Sequence, residues 1–381
     1  MFKKTELVVL QASAFCNINC KYCYLPERKN TERMSDEILE IALKKILRSD
    51  LLANKVMFLW HSGEPLAVGI PFYERVINLI KQHNLDAKKI SNAVQTNAIL
   101  ITDAWCEFFK KHSFRVGISL DGPSFLHDAN RIGWNGKGTF AQVMKGVELL
   151  KKHQIPLAAI CVITRKTLDY PNELLSFFVG HGFTHLSFSL EETVGANTLS
   201  SINDDENQFV SEEIKHKYAQ FIRALFKNWL PIRDQLYIRD FVEMCRNITS
   251  NLENADFNPV PQEIMELNVI TIQRNGNIST YCPELASGME GDPNKFVIGN
   301  ILQLNELNEI KTNVNFRKMK TEIESGITNC KQTCDYFKLC GGRSPSVKMY
   351  ENKSFESTET KHCLLHRQTM ANVIISELQA L

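Results

Sequence analysis

The sequence of 381 residues lacks any long apolar run and has almost no excess charge. Its 44 lysines and arginines nearly balance 43 aspartates and glutamates, so a one-signed surface for nucleic acid or membrane lipids is not expected. Near the N-terminus, the apolar stretch LVVL is too short for a signal-peptide core, and no later run reaches the length of a membrane span. We therefore predict a cytoplasmic protein with no nucleic-acid and no membrane partner.

Repeats and low-complexity segments are also missing, and the first half of the chain alternates strands with helices. Six strands are predicted from the runs ELVVLQ, KVMFLW, ISNAVQTN, RVGISLDG, LAAICVIT and HLSFSLEE. Amphipathic patterns between them, such as residues 35–49 with Ser35 as the N-cap, predict helices. This alternation indicates an α/β fold with a parallel sheet, whose functional residues lie in the loops that follow the strands.

Three regions can be distinguished along the chain. Residues 1–192 hold the strand and helix alternation, and residues 193–267 form a helical insert and linker that ends in breaker-rich sequence. Residues 268–381 are rich in cysteine and open with two alternating runs joined by Asn275-Gly276, which predicts a hairpin. If a strand of this hairpin is exposed, it could bind an extended leader peptide by edge addition.

Eleven cysteines without any sign of export indicate metal binding or catalysis rather than disulfides. Three of them, Cys16, Cys20 and Cys23, share the loop after the first strand, where a zinc knuckle, a disulfide framework and an iron–sulfur site compete as explanations. Zinc sites usually need a second ligand pair, and the nearest candidate, His61, belongs to another motif. Three thiolates can instead bind three irons of a [4Fe–4S] cube and leave the fourth iron open.

The spacing of Cys16, Cys20 and Cys23, followed by Tyr24, resembles the signature of radical S-adenosylmethionine (SAM) enzymes. Further motifs similar to those of that superfamily follow in order: WHSGEPL at 60–66, AVQTNAIL at 93–100, GISLDGP at 117–123 and HDANRIGWNGKGTF at 127–140. The resemblance implies a partial (β/α)6 TIM-type barrel, a catalytic [4Fe–4S] cluster on the three cysteines, and bound S-adenosyl-L-methionine. The cofactor-binding residues that it implies are Tyr22, Ser62, Gly63, Glu64, Gln95, Asn97, Ser119 and Arg131.

The superfamily holds the methionyl amino group with a glycine-glycine-glutamate motif, and here Ser62 replaces the first glycine. Glu64 can still accept a hydrogen bond from an ammonium group, while Gly63 lets the backbone approach the ligand closely. Arg131 is expected to meet a carboxylate of cofactor or substrate. Simpler explanations remain open, because Glu64 could be a surface charge and Arg131 could pair with Asp128 on the same helix.

Four cysteines near the C-terminus resemble the SPASM extension of radical enzymes that modify peptides. They match the ligands of that family's second auxiliary cluster, and they are Cys330, Cys334, Cys340 and Cys363. Of the first auxiliary cluster only Cys282 is present, since the stretches that would hold its other ligands read GNILQL and GGRSPS. The resemblance thus implies a C-terminal SPASM domain with one auxiliary [4Fe–4S] cluster. Cys282 is left as a free thiol, a substrate-facing residue or a lone ligand, and zinc at the tail stays an alternative.

Within this family, the stretch LQASAFCNINCKYCYLPER and the tail from Cys334 to Cys363 look most like enzymes that make three-residue cyclophanes in ribosomally synthesised (RiPP) peptides. The resemblance implies hydrogen abstraction from a side-chain β-carbon of a precursor peptide with a leader, and then a C–C cross-link to an aromatic ring. It also implies a reducing electron donor of the flavodoxin or ferredoxin type. A general base near the ring would help, and the candidates are Asp121, Glu191, Glu192 and Glu284.

Other functions fit parts of the pattern. A sulfatase-maturing enzyme, which converts Cys or Ser to formylglycine, shares the barrel and the SLDGP motif. That family usually keeps both auxiliary clusters, and its catalytic aspartate follows an auxiliary cysteine that is absent here. Thioether formation is a second enzymatic alternative. A zinc-stabilised binding module is the non-enzymatic alternative, but it leaves Gly63 and Glu64 unexplained.

Overall fold

The computed structural model describes residues 4–203 and 210–380, and one ten-stranded sheet forms its centre. The strands are β1 (Thr5–Leu10), β2 (Leu52–Trp60), β3 (Lys89–Thr96), β4 (Arg115–Ser119), β5 (Ala158–Ile163), β6 (His185–Leu190), β7 (Tyr237–Ile238), β8 (Val269–Ile272), β9 (Asn277–Thr280) and β10 (Gly299–Asn300). Their order across the sheet is β10-β9-β8-β1-β2-β3-β4-β5-β6-β7. The six strands predicted from the apolar runs are therefore confirmed as β1 to β6.

The helices between and after these strands agree with the amphipathic patterns. They are α1 (Asp36–Leu47), α2 (Ile70–His83), α3 (Asp103–Lys111), α4 (Ser124–Asn130), α5 (Phe140–Lys152), α6 (Pro171–Gly180), α7 (Glu212–Trp229), α8 (Arg239–Glu253), α9 (Val314–Thr333), α10 (Phe337–Cys340), α11 (Pro345–Asn352), α12 (Lys361–Cys363) and α13 (Met370–Gln379). The predicted N-cap is confirmed, because the Ser35 hydroxyl accepts a hydrogen bond from the Ile38 N–H at 3.1 Å.

Strands β1 to β6 pair in chain order, and every pair is parallel. Helices connect consecutive strands, so all six strands end at the same edge of the sheet. This confirms the α/β class with a parallel sheet. The apolar side chains Val8, Phe58 and Ile118 from three of these strands are fully buried in one continuous core. Closure of the sheet into a partial barrel stays a prediction.

The hairpin predicted at Asn275-Gly276 is confirmed, and it joins the same sheet. Its first strand, β8, pairs in parallel with β1, and its second strand, β9, pairs with β10 on the other side. The hypothesis of an exposed hairpin strand that binds a leader by edge addition is therefore wrong, because both strands already have two neighbours. The predicted division at residues 192 and 267 stays a prediction, although strands from both sides of it share this sheet.

Two cysteines outside the motifs belong to the core. Cys106 on α3 and Cys161 on β5 are both fully buried in the main apolar core, where a free cysteine behaves as a small hydrophobic residue. Within residues 4–203 and 210–380, no helix combines the length and the apolar character needed to cross a membrane.

Candidate active site

A cavity of about 470 Å³ opens where the parallel strands end. Cys16, Cys20 and Cys23 line one part of it. Most of the predicted cofactor-binding residues line it too, namely Tyr22, Ser62, Gly63, Gln95, Asn97, Ser119 and Arg131. The structure therefore brings together side chains that lie more than a hundred residues apart in the sequence. Glu64, the remaining predicted residue, does not line the cavity.

The three N-terminal cysteines form a small buried group with Ile18 and Tyr22. Only 8% of Cys16 and 8% of Cys20 is exposed. Burial raises the pKa of the Cys16 thiol to about 12 and that of Cys20 to about 11, because a lone thiolate is poorly stabilised there. A bound metal cluster would supply the missing positive charge, and it would bind the thiolates with release of their protons.

Gly63 fixes the position of the cysteine loop. Its φ is 57°, and a Cβ atom at this position would lie 2.3 Å from the carbonyl oxygen of Phe15. The next residue, Glu64, donates its backbone N–H to the same Phe15 oxygen at 2.7 Å. The close approach predicted for Gly63 is thus an approach to the loop that carries the cysteines.

Glu64 is completely buried just behind the cavity wall. Its carboxylate accepts hydrogen bonds from the Thr96 hydroxyl at 2.7 Å, the Asn97 N–H at 2.8 Å and the Leu66 N–H at 2.9 Å. Burial raises its pKa to about 7 in spite of these donors. The interpretation of Glu64 as a surface charge is wrong. In this arrangement its carboxylate ties the loop after β2 to the end of β3, and a direct contact with an ammonium group stays a prediction.

Asn97 connects that same strand end to the cysteine loop. Its side-chain amide donates to the side-chain Oδ1 of Asn17 at 2.7 Å and lies 3.8 Å from the sulfur of Cys16. On the neighbouring strands, the Gln95 amide donates to the Ser119 hydroxyl at 3.0 Å. Two hydrogen-bonded pairs of polar side chains therefore line the cavity, as expected for residues at the ends of adjacent parallel strands.

Arg131 is a buried cation beside the cysteine loop. It pairs with Asp121 at 3.0 Å, its guanidinium lies 5.4 Å from the ring centre of Tyr22, and one of its nitrogens is 3.9 Å from the sulfur of Cys20. The alternative pair with Asp128 is wrong, because that carboxylate accepts from the Phe140 N–H instead. The expected role of Arg131 in binding a ligand carboxylate stays a prediction, since its present partner belongs to the chain.

The four candidate bases differ in their surroundings. The Asp121 carboxylate accepts hydrogen bonds from the Arg131 guanidinium, the Val162 N–H and the Tyr22 hydroxyl, so it is not free to take a proton. Glu191 lines the cavity, but its carboxylate accepts hydrogen bonds from the backbone and hydroxyl of Ser201. The remaining two candidates also line the cavity.

Those two are Glu192 and Glu284. Burial, together with the nearby carboxylates of Glu284 and Glu351, raises the pKa of Glu192 to about 8. Burial also raises the pKa of Glu284. Nε2 of His362 lies 3.2 Å from Oε1 of Glu192, and burial keeps that imidazole neutral by lowering its pKa. Glu192 is thus held in place while its carboxylate faces the cavity.

Three cavity residues were missed by the sequence analysis or given another role. His61 was considered only as a zinc ligand, yet it lines the cavity, and burial lowers its pKa to about 4. The buried Tyr24 hydroxyl has no hydrogen-bond partner in the described part of the chain, so it is available to a ligand. Arg239 begins α8 far from any motif, and only the packing of that helix beside β6 reveals its position.

The C-terminal cysteines come together at the ends of α9, α10 and α12. Burial raises the pKa of Cys334, and the thiols of Cys340 and Cys330 add to this effect. Burial likewise raises the pKa of Cys363 to about 12, with smaller contributions from Cys340 and Cys334. Lys348 is 2% exposed, and its ammonium donates to the sulfur of Cys330 at 3.2 Å. A buried ammonium beside a sulfur favours the thiolate form that an iron–sulfur cluster requires.

Both cysteine groups carry a cation beside a sulfur. In residues 4–203 and 210–380, no three His, Cys, Asp or Glu side chains converge closely enough to hold one metal ion. A cube bound through one thiolate per iron does not require such convergence. The buried and half-buried thiols, with Arg131 near one group and Lys348 near the other, fit iron–sulfur clusters.

Ser62 gives a prediction about stability. Its φ is 87°, in the region that favours glycine, and a residue with a side chain there costs about 1–3 kcal/mol. Ser62→Gly should raise the free energy of unfolding by about 1 kcal/mol, because greater freedom of the unfolded chain offsets part of the gain. Denaturant unfolding of the two proteins measures the difference. A less stable variant would show that contacts of the Ser62 side chain outweigh the backbone strain.

Comparison with known proteins identifies the family. A family model described as the Radical SAM superfamily matches residues 10–178. The uncharacterised protein sll1766 of Synechocystis is 35% identical over 99% of this chain and 93% of its own length. A cysteine-type anaerobic sulfatase-maturating enzyme of Clostridium perfringens is 28% identical over 88% of both chains.

Solved structures share the fold. Native anSMEcpe with bound AdoMet aligns with a TM-score of 0.78 at 24% identity, over 99% of this chain and 98% of that one. Streptococcus suis SuiB bound to precursor peptide SuiA aligns with a TM-score of 0.63 at 16% identity, over 95% of this chain and 76% of that one. The residues that match the family model include all three cysteines of the cavity and β2 to β5, and the chain belongs to the radical SAM superfamily of enzymes.

Proposed function

We propose that this enzyme oxidises a side chain of a peptide or protein substrate by hydrogen abstraction. The observation that carries the proposal is the composition of the cavity wall, which combines Cys16, Cys20 and Cys23 with the carboxylates of Glu192 and Glu284. A substrate bound there can lose a hydrogen atom to a radical source held beside the cysteines and a proton to one of the carboxylates. Among the relatives, SuiB is bound to a precursor peptide and other matches are sulfatase-maturating enzymes, which supports a peptide or protein as substrate.

The residues fit a [4Fe–4S] cluster and SAM at this site. When bound, these groups supply a carbon radical able to take hydrogen from an unactivated side chain. The three cysteines would hold the cluster. Three residues are proposed to contact SAM, namely Tyr22, Ser62 and Gly63. Four more cavity residues are proposed to line the SAM site, namely Gln95, Asn97, Ser119 and Arg131. A substrate bound in the cavity would be held close to the radical source.

A second [4Fe–4S] cluster is proposed on Cys330, Cys334, Cys340 and Cys363. It would accept the electron that the substrate loses after hydrogen abstraction, so that the substrate undergoes a two-electron oxidation. Lys348 is positioned to stabilise the negative charge on one of these sulfurs. This part of the chain corresponds to the predicted SPASM domain. Separately, we propose that the protein is cytoplasmic.

Formylglycine is the first product that we propose. Its support is that cysteine-type and serine-type sulfatase-maturating enzymes match most of this chain, the serine-type enzyme of Bacteroides thetaiotaomicron being 28% identical over 90% of this chain and 83% of its own length. In such a reaction a substrate Ser would lose a hydrogen atom from its β-carbon, an electron and its hydroxyl proton to become an aldehyde, whereas a Cys would become a thioaldehyde that water hydrolyses to the aldehyde with release of hydrogen sulfide. The carboxylates of the cavity wall would take up the proton.

A cyclophane is the second product that we propose, and the lack of partner cysteines for Cys282 favours it. This thiol is buried near Ser346 and Glu284. The stretches GNILQL and GGRSPS lack the other ligands of a first auxiliary cluster, which the sulfatase-maturing family usually keeps. The tail motifs that resemble cyclophane-forming enzymes point the same way. A thioether product is the remaining alternative.

One experiment separates these products. The reconstituted enzyme is incubated without oxygen with SAM, a reductant and either a sulfatase-motif peptide or the short peptides encoded beside its gene. An aldehyde captured by a hydrazide reagent indicates formylglycine. Loss of two hydrogens without an aldehyde indicates a cross-link, and loss of iodoacetamide reactivity at a peptide cysteine identifies a thioether. Production of 5′-deoxyadenosine without change in any peptide would contradict a peptide substrate.

A further inference from the structure

A buried lysine connects two helices of the C-terminal region beside the cysteine group. Helix α11 is buried along most of its length, and Lys348 near its centre is only 2% exposed. The Lys348 ammonium donates to the carbonyl oxygen of Gly326 at 3.3 Å and to the sulfur of Cys330 at 3.2 Å. These two acceptors lie one helical turn apart on α9. The lysine is therefore held against the turn that carries a predicted cluster ligand.

The charge of this ammonium is not compensated by a carboxylate. No Asp or Glu in residues 4–203 and 210–380 forms an ion pair with Lys348, whose partners are the carbonyl and the sulfur on α9. By contrast Arg343, which follows Cys340 closely in the chain, pairs with Glu243 and Glu263. A buried charge is costly unless an opposite charge lies beside it. A cluster bound by four thiolates carries a net negative charge and would be that partner.

Two other sulfurs of the C-terminal group also accept hydrogen bonds. The Gly342 N–H lies 3.4 Å from the sulfur of Cys340, and the Gln368 amide nitrogen lies 3.7 Å from the sulfur of Cys363. Hydrogen bonds and positive charge at the sulfurs stabilise the reduced form of a cluster, because reduction adds negative charge, and they therefore raise its reduction potential. An ammonium has a larger effect than these two neutral donors, since it carries a full charge.

The N-terminal cysteine group has more distant donors. The Asn97 amide lies 3.8 Å from the sulfur of Cys16, and an Arg131 nitrogen lies 3.9 Å from the sulfur of Cys20. In addition, Asp121 at 3.0 Å compensates the charge of Arg131. The surroundings therefore favour an added electron at the C-terminal group over one at the N-terminal group.

We propose that Lys348 raises the reduction potential of the auxiliary cluster and so makes that cluster the acceptor of the substrate electron. The inference rests on the cluster proposed above at Cys330, Cys334, Cys340 and Cys363. After hydrogen abstraction, the substrate radical is oxidised by one electron, the cluster is reduced by one electron, and the accompanying proton goes to a carboxylate of the cavity wall. Lys348 does not line the cavity, so it acts through the Cys330 sulfur and not on the substrate.

The test uses the full chain with the three N-terminal cysteines replaced by alanine, so that only the C-terminal cluster is bound. In this parent protein, Lys348→Met removes the charge at nearly the same side-chain length, and Lys348→Gln keeps a hydrogen-bond donor without the charge. The matched control is Lys331→Met, which removes the same charge directly after Cys330 at an exposed position, where water screens it. Iron content is determined for every protein, and the midpoint potential is measured by a redox titration followed by electron paramagnetic resonance.

Lys348→Met should make uptake of one electron at least about tenfold less favourable, which corresponds to a midpoint potential lower by about 59 mV. Lys348→Gln should lower the potential by a smaller amount, and Lys331→Met should leave it unchanged. Unchanged potentials in both Lys348 variants, or an equal shift in the control, would overturn the proposal. Loss of iron from both Lys348 variants would also overturn it, because the lysine would then be needed for assembly of the site. A parent protein without iron would contradict the proposed auxiliary cluster itself, and the inference would fall with it.

Discussion

Replacing Cys16 by alanine is expected to reduce reductive SAM cleavage to the level measured without protein. The three thiolates of the cavity are proposed to hold three irons, and two thiolates would not retain the cube with its open iron in place. The measurement is the amount of 5′-deoxyadenosine formed under dithionite by the reconstituted variant. Bound iron is determined in the same samples, so that a loss of cleavage can be assigned to loss of the cluster.

Cys106→Ala is the matched control for this prediction. Cys106 is fully buried in α3 and lies away from the cavity, so its replacement removes one sulfur from the core. The expected cost is about 1 kcal/mol of stability with unchanged SAM cleavage. If Cys16→Ala kept its cleavage activity while Cys106→Ala lost it, the assignment of the catalytic cluster would be wrong.

Glu192→Gln is expected to separate SAM cleavage from product formation. Glu192 faces the cavity with a pKa raised to about 8, and His362 holds its carboxylate. General base catalysis typically contributes a factor of about 10²–10⁴, so product formation should fall by about that factor. Hydrogen abstraction does not need the base. The variant should therefore form 5′-deoxyadenosine in excess over product, and the ratio of the two is the measurement.

The pH dependence of product formation is an independent test of Glu192 as the base. Glu192 accepts a proton only when it is ionised, so its contribution should be small below pH 8 and should rise as pH passes through about 8. The excess of 5′-deoxyadenosine over product in the wild type should shrink over the same interval. Glu191→Gln is the matched control, since Ser201 already occupies its carboxylate. If Glu191→Gln uncoupled the reaction and Glu192→Gln did not, the base would have been assigned to the wrong carboxylate.

The sequence predicts the parts of this site that depend on local spacing. Cysteines close together on one loop must share a location, and polar residues at the ends of neighbouring parallel strands must meet. For that reason the cysteine loop, Gln95, Asn97 and Ser119 were placed correctly at the cavity. The confirmed order of β1 to β6 follows from the same strand and helix alternation.

Partners across long distances could not be predicted in this way. The sequence suggested Asp128, which is near in the chain, as the partner of Arg131. In the structure Arg131 pairs instead with Asp121, which lies in the loop after β4. The contact between Glu192 and His362 spans 170 residues and depends on where the last helices pack against the end of β6. Motif spacing carries no information about such packing.

The hairpin of β8 and β9 shows a related limit. Its turn chemistry at Asn275-Gly276 identified the hairpin itself, because an Asn-Gly pair favours a tight turn. Alternating apolar residues, however, do not reveal which strand a hairpin will join. All four residues of β8 are buried, and the strand pairs with β1 across the predicted domain boundary. Because β1 pairs with β8, this strand of the hairpin has no exposed edge of the kind expected from the sequence.

Iron content is the measurement that tests the account most directly. The protein is purified and reconstituted without oxygen, and iron per chain is determined for the wild type and for the variant with Cys16, Cys20 and Cys23 all replaced by alanine. The account predicts about eight irons in the wild type and about four in the variant, one cube having been lost. About twelve irons in the wild type would show that Cys282 belongs to a further cluster. Zinc without iron would contradict the proposed radical chemistry altogether.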